Sequence, residues 1–174
     1  MQFSQAQREL AIRAMDEAEE RTARYYCIPP YRRQQLRYDL LTSQDHEWQP
    51  LPETVLAQVQ FLQRLSYAKS DLLAFYRIQL NDPTILTAAL REDLVSNLYP
   101  FLVYILTHEM VHLVRLSTIL GHASELPPSD ESEERRVHCI SRQILAGPSE
   151  FRPVLDKFCL PQFQAAGYPG YCVQ

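Results

Sequence analysis

The sequence predicts a mainly helical, compact single domain of 174 residues, with at most a short β element. Three observations lead there. Four glycines against twelve prolines leave few positions with easy access to positive φ, which a fold built on tight hairpins needs. Apolar residues recur at three- and four-residue spacing along most of the chain. The longest apolar run, Phe101 to Leu120, has the length of a membrane span but carries His108, Glu109, His112 and Arg115, each costly in lipid. It therefore reads as a central buried helix.

The elements follow in order. Residues 4–26 have an amphipathic helical pattern, with Leu10, Ala14, Ala18 and Phe3 or Ile12 near one face. The tandem proline of "CIPPY" ends it. "YRRQQLRYDLL" suits a second helix over 31–42, and "TSQDHEWQPLPE" is a loop. From Glu53 the apolar positions 55, 59, 62, 65, 72, 73 and 76 have helical spacing, although the tail "FYRIQL" alternates well enough for a short strand. "NDP" at 81–83 is a stop, and "TILTAALREDLVSNLY" restarts the helical pattern. Pro100 marks a kink or the first turn of the next helix, which is expected to end near Gly121. "DESEERRVHCISRQILAG" opens with Asp130 and Glu133 at capping-box spacing, ends at Gly147 and Pro148, and buries a stripe of Val137, Ile140, Ile144 and Leu145. A short helix over 150–159 precedes a loose tail. The domain thus has a helical N-terminal part (1–82), a central part (83–160) and a flexible end (161–174).

The net charge is −4, and the small cluster of Arg32, Arg33 and Arg37 reads as a solvated helix face, so neither nucleic acid nor membrane is an expected partner. The N-terminus lacks the pattern of a secretory signal. Cys27, Cys139, Cys159 and Cys172 are scattered without a CxxC pair, which suits free thiols in the cytoplasm.

Within "YILTHEMVHLVRL", residues 108–112 read HEMVH. On a helix, positions i and i+4 share a face, so His108 and His112 can grip one Zn2+ ion through their imidazoles. Glu109 is rotated off that line, where its carboxylate can take a proton from water at the metal's open position and return it to a leaving amine. The plain alternative is a hydrogen-bonded polar cluster in a core. Two imidazoles and a carboxylate without partners there would be costly, and a metal removes that cost.

A hydrolytic zinc site usually has a third protein ligand. HExxHxxGxxH would need glycine at 115 and histidine at 118, where Arg115 and Thr118 stand. His122 lies beyond the expected helix end. The next helix offers Glu131, Glu133, Glu134 and His138; Glu134, at the edge of the buried stripe, is the expected ligand, with His138 one turn on as its supporting neighbour or the reverse, and Glu133 as an alternative. Glu131 and Glu133 also suit a solvated helix N-terminus.

HEMVH followed 22 residues later by the glutamate of "EERRVH" resembles the gluzincin branch of zincin metallopeptidases, over residues 100–146. The resemblance implies a zincin-like fold, zinc, and hydrolysis of peptide bonds in a peptide or protein substrate with Glu109 activating water. Gluzincins often carry an acidic residue four after the third ligand, where this chain has His138. No oxyanion-stabilising residue is assigned; Tyr99, Tyr104 and Arg115 are nearby in sequence. Two rivals remain. Glu109 and His112 also form Glu-x-x-His, as in ferritin-like di-iron bundles, with Glu53 and Glu92 as further carboxylates, but Arg135 stands where a second such pair would need a glutamate. A non-catalytic zinc-binding regulatory protein would keep the same ligands. Cys172 in the tail could reach the metal's open position, or the tail is a frayed terminus.

Overall fold

Ser4 opens the first helix by a reciprocal cap: its hydroxyl accepts from the Gln7 N–H, and the Gln7 side chain accepts from the Ser4 N–H. In the computed structural model, which describes residues 1–34, 36–63, 74–117 and 131–158, this helix is α1 (Gln5–Tyr25). Its buried face is Ala11, Ala14, Met15, Ala18, Thr22 and Ala23. Small side chains let α1 lie close along α4 (Leu98–Leu116). Leu10 is half-buried and Ile12 is 58% exposed, so the expected place of Ile12 on the inner face is corrected: the alanine stripe takes that face. Phe3 is buried from just ahead of the helix.

The expected helix over 31–42 is replaced by one turn, α2 (Pro30–Arg33), and a strand, β1 (Arg37–Leu41). Over the described residues the expected helix after Glu53 is likewise replaced by strands β2 (Ala57–Gln63) and β3 (Ala74–Leu80), the latter taking up the strand alternative for "FYRIQL"; positions 65, 72 and 73 lie outside the described residues. "AQVQFLQ" and "RYDLL" alternate with period two, and pairing with β3 overrides their weaker helical spacing. The sheet has the order β1-β3-β2, with β1 parallel and β2 antiparallel to β3. Three strands exceed the expected short β element and lie in the part expected to be helical. In register opposite Arg77, Asp39 forms an ion pair at 2.9 Å.

The loop before β2 is held by side chains rather than by regular structure. Trp48 Nε1 donates to the Leu80 carbonyl (2.8 Å), Gln49 N–H to Gln79 Oε1 (2.8 Å), and Asn81 Nδ2 to the carbonyls of Pro52 and Val55. α3 (Asp82–Arg91) starts with Pro83 in its first turn, and a 3-10 turn at 95–97 leads into α4, with Pro100 in the first turn of that helix. α4 is buried on nearly every side. It ends at Leu116, with Ser117 extended, and so stops short of Gly121, which lies outside the described residues together with Asp130.

α5 (Glu131–Leu145) packs on α4; its buried residues are Val137, His138, Ser141 and Leu145, while Ile140 and Ile144 are half-buried. The expected stripe is thus rotated so that His138 lies inside it. Gly147, at φ 122°, lets the chain turn towards a 3-10 turn at 149–151 and α6 (Arg152–Phe158). Phe158 stacks on Phe101 at 4.8 Å. One hydrophobic core draws on residues from Phe3 to Phe158. Among the described residues, no helix is long and apolar enough to cross a membrane.

Candidate metal centre

His108 and His112 stand one turn apart on the face of α4 that meets α5, and Glu134 meets them from the first turns of α5. The two Nε2 atoms are 3.1 Å apart. One Glu134 oxygen is 3.1 Å from His112 Nε2, and the other is 3.4 Å from His108 Nε2. Each Nε2 carries at most one proton, so hydrogen bonds cannot account for all three contacts. If both nitrogens donate to Glu134, two N–H groups face each other at 3.1 Å. Zinc–nitrogen bonds of about 2.0–2.1 Å in a tetrahedron put ligand atoms about 3.3 Å apart. The contacts among the two nitrogens and the two glutamate oxygens are of that size, so the residues fit a small divalent cation. The two rings and Glu134 keep side-chain exposures of 12, 19 and 28%, which leaves the cluster a route to solvent.

Glu109 is buried and accepts from the backbone N–H of Val59 in β2. Burial raises its pKa above the usual carboxylate value, with the positive potential of His108 and His112 opposing part of that rise. For Glu134, burial works upward but is outweighed by hydrogen bonds and charge from His108 and His112, and the carboxyl is held well below its usual range. Burial pulls His112 down, while Glu134 and Glu109 win and raise it.

His138 is buried beside this cluster. Its Nδ1 is 3.0 Å from the Tyr104 hydroxyl, its ring lies 4.3 Å from that of His108, and a ring nitrogen comes within 4.8 Å of donor atoms of His108 and Glu134. Burial, then the charge of His108, holds its pKa well below the ordinary imidazole value. Glu133 faces elsewhere: Arg115 grips its carboxylate at 2.5 and 2.9 Å. Glu131 is exposed. Of the aromatic and basic residues near the motif, Tyr99 hydrogen-bonds Glu17 of α1 (2.5 Å), while Tyr104 and Arg115 meet His138 and Glu133. Glu53 sits in an exposed turn, and Glu92 closes α3 against Arg91, so neither belongs to this cluster. His122, Thr118 and Cys172 lie outside the described residues.

Sequence reasoning missed Val59. The signal available was the alternation of "AQVQFLQ", which marks a strand and so a backbone N–H free to meet a helix. It also missed the pairing of Arg115 with Glu133, for which one sequence holds no signal. No family model, curated protein or solved structure matches the chain.

Proposed function

We propose that the protein is a zinc-dependent peptidase in which His108, His112 and Glu134 hold the metal and Glu109 is the general base. The carrying observation is the convergence of the two Nε2 atoms and both Glu134 oxygens, with contacts of 3.1, 3.1 and 3.4 Å, next to a buried carboxylate one residue from His108. A bound zinc ion would supply Lewis acidity, polarising a carbonyl and lowering the pKa of water. The chain's own part is proton transfer and alignment. Glu109, its carboxylate oriented by the Val59 N–H and its basicity raised by burial, takes a proton from water and returns it to the departing amine.

The position of β2 favours a peptide as substrate. Among the described residues β2 is an edge strand of the sheet, and the N–H of Val59 points away from β3 towards Glu109. By alternation, the backbone groups of Ala57 and Phe61 share that outward side, where an extended peptide could pair alongside the base. Glu53 and Glu92, neither of which joins the cluster, weigh against the di-iron reading. A cytoplasmic location fits the free thiol of Cys27.

Elemental analysis of purified protein tests the metal, with one zinc per chain expected. Glu109→Gln should keep that zinc and lose about 10²–10⁴-fold in cleavage of an unfolded protein substrate. Full zinc with no cleavage by the wild-type chain would favour the non-catalytic zinc protein instead.

A further inference from the structure

α4 and α5 are joined by three polar rungs. Arg115 meets Glu133, His108 and His112 meet Glu134, and Tyr104 meets His138. Numbers fall along α4 as they rise along α5, so the helices run antiparallel here and the ligand rung lies between the other two. The Arg115–Glu133 rung is bidentate, with Nε to Oε1 at 2.5 Å and Nη2 to Oε2 at 2.9 Å. Both side chains are largely buried, at 23 and 15% exposure, and Tyr26 at the end of α1 stands beside the guanidinium.

We propose that Arg115 and Glu133 are positioning residues for the metal centre, holding the Glu134 carboxylate at ligand distance before the metal arrives. This rests on the zinc reading above. His108 and His112 share one helix, and its pitch already sets their spacing. Glu134 belongs to a different helix and sits in its first turns, where backbone hydrogen bonds are incomplete and ends fray. A fork-to-carboxylate pair has two parallel bonds in one plane, so it sets both the distance and the rotation of the turn that carries it. Glu133 is the neighbour of Glu134 on that turn. A rotation of the turn would move the Glu134 oxygens away from the two rings, and a ligand misplaced by about 1 Å binds poorly.

Zinc dissociation constants of the full chain, read by competition with a chromophoric chelator, test this. Arg115→Glu adds negative charge near the cation, which by Coulomb attraction alone would tighten binding. The expected result is the opposite, a weakening of about 10–100-fold. Glu133→Arg should weaken binding similarly, and the double exchange, Arg115→Glu with Glu133→Arg, should recover most of the loss. Glu133→Gln, a neutral isostere that keeps one acceptor for the guanidinium, serves if the charge reversals do not fold, with weaker zinc binding by the folded variant expected. Folded single variants with wild-type affinity, or a double variant with no recovery, overturn the inference alone. A wild-type chain that takes up no zinc overturns the zinc reading and this inference with it.

Discussion

Glu134 and His112 stabilise each other's charged forms, and the directions of their shifts set a pH window. A carboxyl held low contributes stability above its unfolded pKa and loses it as pH falls through the folded value. An imidazole held high contributes below its unfolded pKa, about 6.5, and loses that as pH rises through the folded value. In the metal-free chain the pair therefore helps most between the unfolded carboxyl value and the unfolded imidazole value. Zinc demands the opposite state, a deprotonated His112. Because the folded pKa of His112 is raised, the gain in melting temperature on adding zinc is expected to grow as pH rises above about 6.5 and the competing proton leaves. A pH-independent gain, measured by thermal unfolding, would speak against His112 as a ligand. Asp82 makes a separate prediction. Buried at the start of α3, it accepts from Phe3 N–H (3.1 Å), Ser43 N–H (3.2 Å) and the Ser43 hydroxyl (2.8 Å). Asp82→Ala leaves those donors without their acceptor and should cost on the order of 3 kcal/mol, read by urea unfolding.

At the scale of elements, the approach of α1 to α4 rests on Ala11, Ala14 and Ala18, each fully buried. Ala14→Leu inserts three heavy atoms into that contact and should destabilise the fold by about 1–3 kcal/mol, measured the same way. Because α4 carries both histidines, the displaced helix pair should also weaken zinc binding. Ile12→Ala, on the exposed side of the same helix, should leave both quantities near the wild-type values. The contrast separates the packed face from the solvated one.

For the whole molecule, the proposed metal centre would join two helices whose connection, 118–130, lies outside the described residues. A ligand set shared between α4 and α5 couples folding to metal, so chelation should lower the melting temperature and added zinc should restore it. The same core also joins α1, the sheet and α6 to α4, so one unfolding transition is expected in both states.

How much the sequence revealed varied with how local each feature is. The helical character of α1, α3, α4 and α5 was legible, because period and proline placement act within one segment. β1 and β2 were not, since "RYDLL" and "AQVQFLQ" fit two periods and only pairing with β3 chooses between them. The pair His108 and His112, with Glu109 beside it, was determined by sequence alone, because one turn of helix fixes which side chains are neighbours. Three things were decided only by tertiary structure: the meeting of Glu134 with both rings, the capture of Glu133 by Arg115, and the contact of Val59 with Glu109. Each joins segments far apart in the chain, and their alignment follows from packing the whole core, which no single stretch of residues encodes.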